Sequence, residues 1–139
     1  MAFSTYDPKK HGALCDQCPL NGQGHVAPEK DVMTPMGRFT ETSITIVGEC
    51  PSSVEVSQGR MFAGPAGTEL DKALRMSGIK RGNCHVTNVV LCNPPGKDLK
   101  TFLQKLSKYN RTKAPNEPTV PPPIECCRPR FEKEIEDHR

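Results

Sequence analysis

The sequence predicts an α/β domain built on a parallel sheet, and three segments carry that prediction. "SITIVGE" (Ser43–Glu49) is apolar and β-branched and reads as a buried strand. "GTELDKALRMSGI" (Gly67–Ile79) sets Leu70, Leu74 and Ile79 near helical spacing, with Gly78 as a stop signal. "CHVTNVVLC" (Cys84–Cys92) is a second apolar strand. Strand, loop, helix and strand in this order form a βαβ unit, whose strands run parallel.

The remaining segments fall around that unit. Residues 1–40 show little periodicity and read as loop with at most one short helix. Between the first strand and the helix, "ECPSSVEVSQGRMFAG" (Glu49–Gly64) reads as a loop. It is an odd place for Phe62, because the chain has only five Phe, two Tyr and no Trp. "NPPG" ends the second strand, and "LKTFLQKLSKY" (Leu99–Tyr109) is a basic amphipathic helix. "KAPNEPTVPPP" (Lys113–Pro123) is an extended Pro-rich linker, and "CCRPRFEKEIEDHR" closes the chain as a charged helix.

A length of 139 residues bounds the chain to a single domain, 1–139, with a core of modest size. Fourteen prolines and eleven glycines place much of it in loops. The net charge of +3 permits nucleic-acid binding without arguing for it. No apolar run approaches the roughly 20 residues of a membrane span. The N-terminal stretch lacks the apolar core of a signal peptide. The expected location is cytoplasmic and reducing, where seven cysteines point to metal or redox chemistry.

Cys15 and Cys18 form a CxxC, a spacing that lets two thiolates share one metal centre. Cys92 follows the second strand, and Cys126 and Cys127 precede the last helix. Adjacent cysteines rarely serve one centre together, so one of that pair is expected to be spare. Cys15, Cys18, Cys92 and Cys127 would make a four-thiolate site that joins both ends of the chain to the sheet. Cys50 and Cys84 read as packing residues. Spacing does not separate zinc from an iron–sulfur cluster.

Four motifs in order resemble the iron–sulfur uracil-DNA glycosylases, family 4 of that superfamily. They are CxxCPL at Cys15–Leu20, "VGECPSSVEVSQGRMFAGPAG" at Val47–Gly67, "LDKALRMSGIKRGNCHVTNVVLCNPPG" at Leu70–Gly96 and "ECCRPRFEKEI" at Glu125–Ile135. Viral domains associated with DNA polymerases share this pattern. The resemblance implies a three-layer α/β/α sandwich around a mostly parallel central sheet. It implies a structural [4Fe–4S] cluster on Cys15, Cys18, Cys92 and Cys127, the last preferred to Cys126 because "CRP" aligns with the family's CxP; zinc on the same ligands is the alternative.

The same resemblance assigns the pocket. Phe62 would stack on a flipped base. Asn88 would read uracil, because its amide sets an acceptor beside a donor and cytosine reverses that pattern. Gly48, Glu49, Cys50 and Pro51 match the water-activating motif. Glu49 is the first candidate for the carboxylate that steadies the sugar's positive charge and orients water, and Glu55 the second. The implied partner is DNA, single- or double-stranded, with a polymerase or replication protein as a further possibility.

Three departures from the family pattern bear on activity. Pro51-Ser52 replaces Pro-Gly, and Met61-Phe62 replaces Pro-Phe. The family pattern also runs on past the equivalent of Arg139 to an "HPS" motif, so the expectation is of a chain truncated at its C-terminus. None of His11, His25, His85 and His138 lies in such a motif. Residues 97–123 form a basic, Pro-rich insertion carrying Lys97, Lys100, Lys105, Lys108, Arg111 and Lys113. Two functions stand: uracil excision from DNA, or a non-catalytic DNA-binding or polymerase-associated domain in a bacterial or viral setting.

Overall fold

The computed structural model describes residues 6–28, 44–96 and 98–137. Ser43, Lys97 and His138, named above, lie outside the described residues. Strands β1 (Ile44–Gly48) and β2 (Cys84–Asn88) pair in parallel, from Ile44↔Cys84 to Gly48↔Asn88. The predicted α/β unit is therefore present, with its crossover made by two helices, α1 (Ser53–Gln58) and α2 (Pro65–Met76).

The two strands differ in burial. Every residue of β2 is buried, and its side chains alternate between two covers. His85 and Thr87 meet Glu134 of α4 (Pro123–Asp137), while Cys84 and Val86 pack with Met61 and Leu74 on the other side. Helices on both faces give a layered arrangement around the strands. The reading of the first strand as buried needs correction: Ile44 is 41% and Val47 45% exposed. Among the described residues β1 has a ladder partner on one side alone, so part of its apolar surface stays uncovered.

β2 is also shorter than "CHVTNVVLC" suggests, ending at Asn88. The N–H groups of Val89 and Val90 still donate to Gly48 O and Glu49 O, both at 2.9 Å. Their run stops there because β1 gives way to Pro51, which has no N–H, and because Arg130 takes the carbonyls of Asn88 and Val89. Cys92 then forms an isolated antiparallel bridge with His25.

α1 occupies a stretch expected to be loop. Its signal is a capping box: Ser52 Oγ accepts from Glu55 N–H and donates to Glu55 Oε1 at 3.1 Å. Ser52 has φ −82°, which any residue adopts, so replacement of the family's glycine strains nothing here. α2 begins two residues before the predicted start, at Pro65, and stops at Gly78, which takes φ 72° while Ile79 N–H closes on Leu74 O at 2.9 Å.

α3 (Leu99–Thr112) starts at its Asp98 cap and is seated by Leu99, Phe102 and Leu103 against Leu20, Val90, Val89 and Cys50. The Pro-rich segment after it folds back instead of hanging free. Asn110 holds Val120 by both backbone groups, each at 2.9 Å, and Tyr109 donates to Glu117 at 3.1 Å. The N-terminal segment forms 3-10 turns at Pro8–His11 and Cys15–Gln17 that pack on α4, where Leu14 N–H donates to Cys126 O at 2.8 Å. No described helix is long and apolar enough to cross a membrane.

Candidate functional site

The parallel pairing sets Gly48 directly across from Asn88, at the C-terminal ends of the strands, where open α/β sheets place ligands. Phe62 reaches the same point. A Cβ built on Gly48 would lie 2.2 Å from Asn88 Oδ1 and 2.8 Å from Phe62 Cζ. The amide, the ring and a residue without a side chain therefore converge on one space. Asn88 is buried at 3% exposure, while the Phe62 ring is half-buried. Glu49 is exposed at the lip, Cys50 is half-buried and Pro51 is buried. Burial, then the charges of Glu49, Glu55 and Asp98, push the Cys50 thiol up to about 11. It is a packing thiol at working pH, as is Cys84, buried with Val86 and Met61.

Phe62 answers the question its position raised. It is the non-glycine residue with positive φ (51°) among those described, a conformation that costs on the order of 1–3 kcal/mol and needs external support. Three contacts supply the support. Glu55 Oε2 accepts from Phe62 N–H at 3.0 Å. Arg81 donates to Met61 O and to Phe62 O, the latter at 3.4 Å, and pairs with Asp71. Gly67 packs so closely that an added Cβ would sit 1.5 Å from Phe62 O. Met61, in the place of the family's proline, is fully buried and anchors the turn in the core. Glu55 thus has both oxygens engaged, one by Ser52 and one by Phe62.

Cys18 and Cys92 pack, with Cys50, against the Leu20, Val90 and Leu99 cluster, and Cys127 lies in the core with Val86 and Met61. Cys15, Cys18 and Cys92 are each shifted upward, first by burial; hydrogen bonds from Leu20 N–H and Cys126 work against the shift at Cys18, and Cys92 reaches about 12 under burial, Cys127, Cys18 and Cys15. Cys127 acts on all three of the others. Cys126 is pushed up to about 12 by burial and then by Cys18, whose thiol it hydrogen-bonds. Cys15, Cys18, Cys92 and Cys127 come from three chain segments, and thiols are donors that a bound cation would ionise. Among the described residues no three His, Cys, Asp or Glu side chains close on a single ion.

One cluster has no counterpart in the sequence reading. Arg130 of α4 is fully buried and donates through Nη2 to Asn88 O at 2.7 Å and Val89 O at 2.9 Å. Its Nη1 reaches Thr87 Oγ1 at 3.3 Å and pairs with Glu134. Glu134 also meets His85 Nε2 at 2.7 Å and accepts from Thr87 at 2.9 Å. Burial works to raise the Glu134 carboxyl, but the His85 hydrogen bond, the Arg130 charge and the Thr87 hydroxyl hold it below its ordinary value. The available signal in the charged helix was Arg130 and Glu134 at i, i+4.

A family model described as the uracil DNA glycosylase superfamily matches residues 35–139. The chain is 40% identical over 81 residues to a type-4 uracil-DNA glycosylase of Pyrobaculum aerophilum, covering 58% of this chain and 38% of that protein. It is equally 40% identical over 81 residues to the type-4 uracil-DNA glycosylase of Thermotoga maritima, covering 58% of this chain and 39% of that one. A third, from Sulfurisphaera tokodaii, is 38% identical over 58 residues, 41% of this chain and 26% of its own length. The matches thus span less than two fifths of these relatives.

Proposed function

The chain belongs to the uracil DNA glycosylase superfamily, and from that premise we propose that it takes a uracil of DNA into the space bounded by Gly48, Phe62 and Asn88 and supports hydrolysis of its N-glycosidic bond. The observation that carries this reading is the convergence of Asn88 Oδ1 and Phe62 Cζ on the bare Cα of Gly48. A flat base slides against the Phe62 ring because Gly48 offers no side chain. The Asn88 amide then pairs with the O4/N3 edge of uracil and meets cytosine with the wrong donor order. As the C1′–N1 bond breaks, its electron pair leaves on uracil and positive charge develops on the sugar. Glu49, exposed beside the site, takes one proton of the water whose oxygen bonds C1′, and that proton is available to the departing uracil anion. Glu55 serves the loop, since its oxygens hold Ser52 and Phe62.

Cys15, Cys18, Cys92 and Cys127 would hold a [4Fe–4S] cluster. When bound it supplies a structural tie between the N-terminal segment, the residues after β2 and α4. The support is the match to type-4 relatives together with four cysteines placed in the N-terminal segment, after β2 and on α4. Zinc on the same thiols is separated from it by colour and metal content.

A second reading, a DNA-binding or polymerase-associated domain with little catalysis, is favoured by where the described histidines sit. His85 faces Glu134, His25 meets Tyr6 O at 2.8 Å, and His11 stacks on Tyr6 at 4.3 Å. With these three described histidines engaged elsewhere, none of them serves as donor to the departing uracil anion, and one lost donor lowers the rate by roughly 10²–10³. The 139 residues alone should therefore bind a uracil-containing single strand and release uracil slowly. Phe62→Ala should weaken that binding by about 1–3 kcal/mol, and Asn88→Asp should erode the preference over a cytosine-containing strand. Binding unchanged in both variants sinks the pocket assignment; robust multiple-turnover release by the wild type sinks the second reading.

The strand's backbone has a matching surface. α3 exposes Lys100, Lys105, Lys108 and Arg111 and carries no Asp or Glu, and its first turn is seated beside Cys50 and Val89 at the rim of the site. We assign this face to phosphate contacts. Lys105→Ala with Lys108→Ala should reduce the salt dependence of single-strand binding by about 0.7 in log–log slope per lost contact, leaving base preference intact. An unchanged slope would remove α3 from the interface.

A further inference from the structure

We infer that Arg130 is a positioning residue for the base site, a buried guanidinium that fixes the end of β2 and ties it to the helix carrying Cys127. The inference rests on the reading of Asn88 as the base-contacting amide. Its own evidence is the backbone around that residue. The Asn88–Val89 peptide group is held on both edges: its carbonyl accepts from Arg130 Nη2 at 2.7 Å and its N–H donates to Gly48 O at 2.9 Å. The next peptide group repeats the pattern, with Val89 O on Nη2 at 2.9 Å and Val90 N–H on Glu49 O at 2.9 Å. One side chain thus clamps the two peptide groups that follow Asn88, the first of which carries its own carbonyl, and through their N–H groups the carbonyls of Gly48 and Glu49 on the neighbouring strand.

The chemistry requires arginine. Two carbonyls, the Thr87 hydroxyl and the Glu134 carboxylate are met by one planar fork of donors. A lysine carries three donors on a single point and cannot span that set. The charge is tolerated in the interior because Glu134 pairs with it, and Glu134 is in turn held by Thr87 and His85.

The position on α4 gives the clamp a second consequence. Arg130 follows Cys127 by three residues, so both project from one side of the helix. A shift of α4 at its thiol end moves the guanidinium and, with it, the peptide groups that follow Asn88. The N-terminal turns that bring Cys15 and Cys18 to α4 then become part of what keeps the base site aligned.

The test uses the full 139-residue chain as purified. Arg130→Lys keeps the charge and most of the volume. Its colour and far-UV dichroism should match the wild type, while amide exchange at Val89 and Val90 should quicken about tenfold relative to Val86, and the uracil-over-cytosine preference should fall by about tenfold. Exchange at Val89 and Val90 that stays at the wild-type rate, or a preference that is retained, overturns the inference. Should Arg130→Lys fail to fold, Thr87→Val decides: it removes one hydroxyl partner of the fork and should quicken the same two amides more than Val86, and equal exchange overturns the clamp. A wild type without uracil preference defeats the functional reading, and the exchange rates still judge the clamp.

Discussion

Serine in place of Cys15, Cys18, Cys92 or Cys127 should yield a colourless protein that is largely unfolded at room temperature, whereas Cys126→Ser should stay brown and folded. The contrast follows from geometry and scale. A structural thiolate site contributes on the order of 10–16 kcal/mol in small metal-bound domains, comparable to the whole stability of about 5–15 kcal/mol of a domain. On this reading the four thiols would tie three segments that otherwise meet through core side chains such as Ala13, Leu20 and Val26 and a few backbone hydrogen bonds. Among the described residues before 28 the helical elements are single 3-10 turns, and Leu14 N–H to Cys126 O at 2.8 Å is one of the bonds that attach them to α4. Cys126 differs because its thiol hydrogen-bonds Cys18 and packs at 2% exposure, so serine there forfeits one hydrogen bond and some packing, about 1–2 kcal/mol. Absorbance, iron and zinc analysis and thermal melting read the result. A colourless wild type with stoichiometric zinc would eliminate the cluster, and bleaching by Cys126→Ser would exchange its role with that of Cys127.

The next largest effect is expected from a single methyl group. Gly67→Ala should abolish measurable base binding and lower stability by at least about 3 kcal/mol, at the upper end for an overpacked site. The added Cβ would lie 1.5 Å from Phe62 O and 2.3 Å from Phe62 C, and both are backbone atoms with no rotamer to yield. The loop must move, and Phe62 cannot keep φ 51° without the carbonyl seated on α2. The Glu55 and Arg81 contacts that support this conformation are then lost together. Gly64→Ala is the control, since a Cβ there meets nothing within 4 Å and its φ of −97° suits any residue. Equal base affinity for Gly67→Ala and wild type would show that the left-handed Phe62 conformation has no part in binding.

What the sequence determined by itself lies where local chemistry suffices. β-branched runs and helical spacing placed β1, β2, α2, α3 and α4 to within a few residues, because propensity and periodicity act over one element at a time. Motif order was enough for the superfamily, and Phe62 in an otherwise small-residue stretch stood out in the loop. α1 was legible as well, in Ser52, Glu55 and Gly59, although a loop reading masked it. The tertiary structure alone decided the rest. β1 proved half-exposed because burial depends on what packs across a strand, which no spacing records. Glu55 proved to have both oxygens engaged in supporting its own loop, and Arg130 proved to be the buried partner of Asn88 O, since a charged residue on a helix reads as solvated until a neighbour removes the water. A long-range hydrogen bond such as that between residues 130 and 88 leaves no periodic trace, because its two ends are matched by distance in space and not along the chain.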